Sequence, residues 1–496
     1  MSVTAPPRPP APHGGHAKRS SAPAGIIVGE QPMRRPDTRS PQLMTRRAWW
    51  LVALNFLVPG AAQSLAGNRR LGRVGLTATL IMWTLVVLGI VAALVWPGLL
   101  PVLATNVWFL LGAQLLLLAY AILWIVLTVD TLRLVRLVKL RPLARPLVAV
   151  TAIAGLVLAG GGAAYAAQQM LAPAREALAS IFTNNAPPIP PSDGYYSVLL
   201  LGADSGLGRD SMRFDSISVV SVNAETGAVT ITGIPRDLAY APFAEGPMHD
   251  LYPDGFTGHP SQSCGWGPGI NQLMNAVEIC QPNRGADIYP DAAANASTPA
   301  IEATKDAAEG ILGIQIPYYV FVDMKGFADI VDALGGVDIT VQERLPKGGG
   351  PSYDGESAES WATGWIEAGA QHMDGDTAQW YARSRYTTSD WDRMRRQREL
   401  QQAILAQANP ANVLTRFQDV AAAGEDLVQT DLPQAMLAYF IDLAVKAKEQ
   451  PVTTIELTPE GANIDTEEPT AEQYAHVREL MQQTLHPPTP TPTPEG

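Results

Sequence analysis

The sequence predicts an α/β domain carried on a multi-helix transmembrane region. Three observations predict it: apolar segments crowd the first third, the charge changes sign after them, and strand and helix patterns alternate through the remainder. Of 496 residues with a formal net charge of −12, residues 1–170 hold sixteen Lys or Arg against only Glu30, Asp37 and Asp130, a net +13. Subtracting +13 from −12 leaves −25 for the residues after 170. A chain so divided faces two environments.

Residues 1–47, rich in Pro, Gly, Ser and Arg, read as a disordered basic cytoplasmic N-terminus. Residues 48–170 read as the transmembrane region, with apolar segments at 49–66, 74–96, 106–129 and 147–168. The last three have the ~20 residues that cross hydrocarbon. The first is interrupted by Asn55, Pro59, Gly60 and Gln63, and is expected to be re-entrant or interfacial, or else to make a fourth crossing. Basic residues stay on the cytoplasmic side. Arg34, Arg35, Arg39, Arg46 and Arg47 precede the first segment, and Arg69, Arg70 and Arg73 follow it. Arg133, Arg136, Lys139, Arg141 and Arg145 follow the third, whereas the loop between the second and third has no charge. Three crossings or four, both arrangements put everything after about 170 outside the cell. The further spans and the basic loop exclude a cleaved signal peptide. Residues 171–193 form a linker, Pro-rich toward its end. Residues 194–485 form the extracellular domain, and the Pro/Thr-rich 486–496 a disordered tail.

Cys264 and Cys280, the only cysteines, lie in the outer domain with fifteen residues between them. A disulfide is expected there, stabilising by roughly 3 kcal/mol through loop closure, with two free buried thiols as the alternative. No metal-ligand spacing surrounds them, and seven scattered His give no zinc pattern.

The chemistry begins at 195–201 (YYSVLLL), a buried strand ending at Asp204. Residues 214–222 and 228–234, joined by 224–227, read as a β-hairpin. Antiparallel pairing about that turn sets Asp215 beside Arg236 at the open end. Strand alternation puts Arg213 on the same face as Asp215. Asp204 and Asp215 are candidate ligands for Mg²⁺, which takes few carboxylates and completes its shell with substrate phosphate. Arg213 and Arg236 are candidates to grip phosphate oxygens. Ordinary salt bridges at a solvated hairpin end remain the bland alternative.

A second cluster, 381–398 (YARSRYTTSDWDRMRRQR), packs six Arg into an acidic domain. Asp390 or Asp392 is expected to cap a helix over 393–408. On it Arg393 and Gln397 share the face of Leu400 and Ile404, while Arg395, Arg398, Glu399 and Gln402 fall on the opposite side. An Arg turned toward an apolar interior must meet anions. Arg383 and Arg385 point one way if their segment is extended; structural salt bridges are again the alternative. Nucleic acid is a poor partner for an acidic domain outside the cell.

The run LLLGAD at 199–204 and RFDSISVVSVNAETGAVTITGIPRD at 213–237 resemble the LytR-CpsA-Psr family of cell-wall glycopolymer ligases. So, in the family's order, do GINQLMNAVE at 269–278, YYVFVDMKGFADIVDALGGVDITV at 318–341 and AGAQHMDGDTAQWYARSRYTTSDWDRMRRQREL at 368–400, a motif core within 194–408. The resemblance implies a three-layer α/β/α domain with a central mixed sheet and an apolar tunnel for a polyprenyl chain. It implies Mg²⁺ at Asp204 and Asp215, and a substrate pyrophosphate ringed by Arg213, Arg236, Arg383, Arg385, Arg393 and Gln397. The catalytic set it implies is Asp204, Asp215, Arg236, Arg385 and Arg393, with Asp237 in support. The implied reaction moves a glycopolymer from a polyprenyl-pyrophosphate carrier to the 6-hydroxyl of N-acetylmuramic acid in peptidoglycan, at a membrane. A polyprenyl-pyrophosphate hydrolase, or a non-catalytic envelope regulatory protein, would be served by the same residues. The sequence departs from the pattern at Phe214 and Ser216, at Gly269 where the family commonly has Lys, and in long insertions at 241–268 and 281–297.

Overall fold

The structure is a computed structural model that describes residues 33–96, 99–182, 187–203, 213–281, 283–348, 357–384, 389–407 and 428–487. Of the disordered ends expected at 1–47 and 486–496, residues 1–32 and 488–496 lie outside these residues, as do Asp204 and Arg385, whereas the chain from Pro41 is helical. The chain divides into two units, one of residues up to Val87 with Leu118–Ala164, the other of Leu88–Leu117 with Tyr165 onward.

In the first unit, the first apolar segment is a broken helix: α1 (Pro41–Leu57), a turn, and α2 (Ala61–Ala66). Gly60 makes the turn at φ +97°, and a Cβ there would meet Leu76 N at 2.4 Å, so both strain and space require glycine. The polar residues that interrupt the apolar pattern bond to a later helix. Asn55 Nδ2 donates to Thr128 Oγ1 at 3.0 Å, and Gln63 Nε2 donates to Leu127 O at 2.7 Å and Thr131 Oγ1 at 2.8 Å. Arg47 is buried and donates to Met33 O at 2.7 Å and Leu134 O at 2.8 Å, satisfying a cation that hydrocarbon would reject. Among the described residues, three helices are long and apolar enough to cross a membrane, Arg69–Val95, Val107–Lys139 and Ala144–Glu176. The last runs through a π-turn at Ala166–Leu171 into the helix Ala172–Ile181, so the first half of the expected linker is helical.

The second unit holds a six-stranded mixed sheet. Its strands are β1 (Tyr195–Ala203), β2 (Phe214–Asn223), β3 (Val229–Ile234), β4 (Tyr318–Asp323), β5 (Val428–Thr430) and β6 (Val452–Glu456). Their order is β6-β3-β2-β1-β4-β5; β1 runs parallel to β4 and β3 to β6, and the other pairs are antiparallel. Alternation along β1 sends Leu199 and Leu201 to one face and Tyr196 and Val198 to the other. Helices Pro299–Leu312 and Ala471–Leu485 bury the first face, with Ile301, Ile311, Val477 and Met481 in the core. Helix Gln434–Ala447 covers the second through Met436 and Leu443. The domain is therefore a three-layer α/β/α fold. A smaller core, built on Val331, Val337, Met373, Tyr381 and Leu400, supports two short two-stranded sheets and the helices flanking them.

Candidate functional site

The β2–β3 ladder pairs Val222 with Val229 and Ile217 with Ile234, and the same register carried two residues further sets Asp215 against Arg236. Asp215 Oδ1 accepts from Arg236 Nη1 at 2.5 Å. Between β1 and β2 the register shifts: Gly202 faces Ser216 but Ala203 faces Phe214, leaving Asp215 as the extra residue of a bulge. A bulge bends its strand and redirects the side chain. Phe214 turns into the core, 6.1 Å from the Phe321 ring between centroids. The bulge also breaks the two-residue repeat that was to align Arg213 with Asp215. Arg213 precedes the strand and lines a cleft with Trp266 and Gln272 instead.

Arg236 is held among carboxylates. Its Nε lies 3.4 Å from Asp237 Oδ2, and among the described residues that buried Nε has no hydrogen-bond partner. Burial pulls this guanidinium down, but the charges of Asp237 and Asp215, with Asp390 adding to them, hold it above its ordinary value. Asp237 is itself fixed by Asn271, whose Nδ2 donates to Asp237 Oδ1 at 2.8 Å.

The Arg-rich helix runs Asp390–Gln407. Its cap is neither Asp390 nor Asp392 but Ser389: Asp392 N donates to Ser389 Oγ at 3.1 Å, and Ser389 N donates back to Asp392 Oδ2 at 3.0 Å. This is a capping box with Asp in the returning position. Arg393 is buried and bonds Asp390 at 2.9 Å. Gln397 Oε1 accepts from Ser216 Oγ at 3.1 Å, and Gln401 donates to Ser218 Oγ at 3.1 Å, so the helix is bonded to β2 beside Asp215. The hairpin end and the helix start thus form one site. Arg383 ends the helix Gly375–Arg383 rather than lying in an extended segment, with its guanidinium 4.9 Å from the Trp380 ring.

One Arg of this helix departs from its expected side, and another takes a role that the sequence left unassigned. Arg398 is not outward; it is buried, 3.6 Å from Glu456 of β6. Burial lowers the Arg398 pKa and raises that of Glu456. Gly233 makes the room, since a Cβ there would stand 2.3 Å from Glu456 Oε2. Arg396 donates to the carbonyls of Tyr381 and Ser384 and closes the end of the preceding helix. Neither partner is visible in the sequence, because both pairings join distant elements. Ser216 and Asn271 are equally unmarked there; adjacency to Asp215 and the IPRD segment is the only signal.

Mg²⁺ can be tested against this donor set. Among the described residues no cluster of three or more carboxylate, His or Cys ligands occurs. Two carboxylates stand at the centre, Asp215 partly exposed and Asp237 exposed, both paired with Arg236. Mg²⁺ bound chiefly by substrate phosphate needs only one or two, so the residues fit a substrate-completed site and not a closed protein cage.

The LytR_cpsA_psr family model matches residues 293–485, which include the helix with Arg393 and Gln397 and begin after the Asp215–Arg236 hairpin. Biofilm regulatory protein A of Streptococcus mutans is 24% identical over 276 residues, covering 54% of this chain and 58% of that protein. The polyisoprenyl-teichoic acid–peptidoglycan teichoic acid transferase TagU of Bacillus cereus is 29% identical over 240 residues, 48% of this chain and 61% of that one. The chain thus spans about three-fifths of the length of these curated relatives. Among solved structures, B. subtilis TagV (20% identity, TM-score 0.39) covers 59% of this chain and 98% of its own. TagT bound to LIIa-WTA (21%, TM-score 0.39) covers 62% and 96%. Over residues 293–485, this chain is thus similar to the LytR-CpsA-Psr family.

Proposed function

We propose that this protein is a membrane-anchored, extracellular phosphotransferase that moves a glycopolymer from a polyprenyl-pyrophosphate carrier to peptidoglycan. The observation that carries the reading is the meeting of Asp215 and Arg236 with Arg393 and Gln397 at one end of the sheet. The relatives named as teichoic acid transferases support it. The Arg236 guanidinium is partly exposed between Asp215 and Asp237, a position from which it can also donate to a pyrophosphate oxygen.

In the reaction, the 6-hydroxyl oxygen of N-acetylmuramic acid bonds to the phosphorus nearer the sugar. The bond from that phosphorus to the bridging oxygen breaks, and polyprenyl phosphate leaves with the electron pair. The hydroxyl proton passes to a carboxylate at the centre. Arg236, Arg393 and Gln397 orient the pyrophosphate, and the Arg charges meet the charge that develops on the leaving phosphate. Asp215, with Asp204, would hold Mg²⁺, which when bound adds positive charge at the pyrophosphate oxygens. The pyrophosphate bond is the driving force, so no nucleotide is required.

The test titrates the full chain in lipid nanodiscs with a short-chain polyprenyl diphosphate, with Mg²⁺ and with excess chelator. Affinity should be higher with Mg²⁺, the metal should bind tighter by the same factor when the lipid is present, and Asp215→Asn should abolish both effects. Equal affinities in the two buffers would remove the metal bridge from this reading.

A further inference from the structure

A cleft of about 730 Å³ opens on the Arg213 side of this centre. The hairpin at 259–266 forms part of it, closed by His259 N to Trp266 O at 2.8 Å and Trp266 N to His259 O at 3.0 Å. The disulfide Cys264–Cys280, with Cα atoms 5.6 Å apart, ties this hairpin to the end of the helical turn Asn275–Ile279. The His259 and Trp266 rings stack 4.8 Å apart, and Trp266 Nε1 donates to Thr257 O at 3.2 Å, which fixes the indole. Gln272 and Asn275 add side-chain amides. Among the described lining residues, Arg213 is the one Lys or Arg, and none is Asp or Glu.

An unbroken polar chain joins the cleft to the reaction centre. Asn275 Nδ2 donates to Gln272 Oε1 at 3.2 Å, Gln272 Nε2 to Asn271 Oδ1 at 3.1 Å, and Asn271 Nδ2 to Asp237 Oδ1 at 2.8 Å. Asp237 then reaches Arg236 at 3.4 Å, and Arg236 reaches Asp215.

These features select a ligand chemistry. A rigid aromatic pair accepts the C–H face of a pyranose ring, amides exchange hydrogen bonds with hydroxyl and N-acetyl groups, and one guanidinium takes one acidic substituent. A nucleic acid needs several cations. A fatty chain would strand the amides. We propose that the cleft is a saccharide subsite for an acidic amino-sugar oligosaccharide, seated beside Asp215 and Arg236 and shaped by the disulfide-tied insertion. The proposal rests on the transferase reading, in which two saccharides share this chemistry: the acceptor strand and the glycan of the donor lipid.

The full chain in lipid nanodiscs is titrated with three probes: a soluble disaccharide-peptide from digested peptidoglycan, a glycosylated short-chain polyprenyl diphosphate, and the bare diphosphate. Trp266→Ala and Gln272→Ala should each weaken a saccharide probe by about tenfold. Trp266→Ala should bind the bare diphosphate as the wild type does, and Trp266→Phe should restore saccharide affinity. Loss on the disaccharide-peptide identifies the acceptor as occupant; loss on the glycosylated lipid alone identifies the donor glycan. Melting temperatures verify folding, and His259→Ala, at an exposed position, replaces Trp266→Ala if that variant does not fold. Wild-type affinity of folded variants for both saccharide probes overturns the subsite. Failure of the wild type to bind the bare diphosphate removes the transferase reading instead, so the two failures are distinguishable.

Discussion

Four Arg of one segment have four different surroundings, and those surroundings predict four different phenotypes. Arg395 is exposed at the surface, 3.0 Å from Asp392, and its removal should change little. Arg396 bonds two backbone carbonyls in the interior, so Arg396→Ala leaves buried acceptors unpaired and should cost on the order of 2–3 kcal/mol. Arg398 pairs with Glu456 in the core and donates to Gln397 Oε1 at 3.5 Å; removing one of the ion pair strands the other, and Arg398→Met should destabilise more than the double change with Glu456→Leu. Arg393 pairs with Asp390, whose charge also acts on Arg236, and Arg393→Ala should lower transfer by roughly a hundredfold or more. Thermal denaturation beside an activity assay sorts these cases; a collapse of the melting temperature for Arg393→Ala would assign it to the fold. Asp306 offers a separate test through pH. Burial raises its pKa to about 6, opposed by the hydrogen bond from Tyr289, with Glu309 and Glu302 raising it further and Lys305 lowering it. The folded state therefore binds this proton more tightly than the unfolded one. The stabilisation it gives appears as pH falls through about 6 and is complete below the unfolded value of 3.8, reaching at most roughly 3 kcal/mol. The stability difference between wild type and Asp306→Asn should shift in the wild type's favour between pH 7.5 and pH 4.5. A difference that does not vary with pH contradicts it.

At the scale of elements, the insertion hairpin depends on its disulfide. Opening the Cys264–Cys280 link should cost up to about 3 kcal/mol. Because the link ties only a loop to a helical turn, Cys264→Ser with Cys280→Ser should speed amide exchange at 259–266 and leave β1–β4 protected. Uniform loss of protection would show that the loop supports the whole domain. Elements were legible in the sequence wherever their pairing is local. The hairpin register that joins Asp215 to Arg236 follows from a four-residue turn, in which Asn223 Oδ1 accepts from the backbone of Glu225 and Thr226 at 3.0 and 2.9 Å. The bulge at Asp215 was not legible, because it arises between β1 and β2, separated by residues without a strand pattern. The sides of the Arg-rich helix were half legible: the apolar stripe through Leu400 places Arg393 inward, but a helix buried on a second face hides Arg398 as well. The cap misled because three of four successive positions, Ser389, Asp390 and Asp392, all suit an N-cap, and only geometry chooses between them.

At the scale of the molecule, charge and hydropathy divide the chain into a basic, apolar helical region and an acidic α/β domain. The uncharged loop between the second and third apolar helices belongs to the same unit as the α/β domain, and Gln434 Nε2 donates to Thr105 O of that loop at 2.6 Å. Loop and domain therefore share a side, which the proposed orientation, with the basic stretches in the cytoplasm, makes the outside. Protease added to intact protoplasts should cleave within 194–485 and leave the Arg-rich loops intact; protection of the domain would reverse the orientation. The transfer reaction is the most direct test of the central claim. The full chain, reconstituted in bilayers with a lipid-linked glycopolymer and supplied with peptidoglycan and Mg²⁺, should form glycan bound covalently to N-acetylmuramic acid through a phosphodiester. Asp215→Asn and Arg236→Met, at unchanged melting temperature, should reduce that product by two orders of magnitude or more. Free phosphorylated glycan as the sole product, or full transfer by Asp215→Asn, would contradict the account.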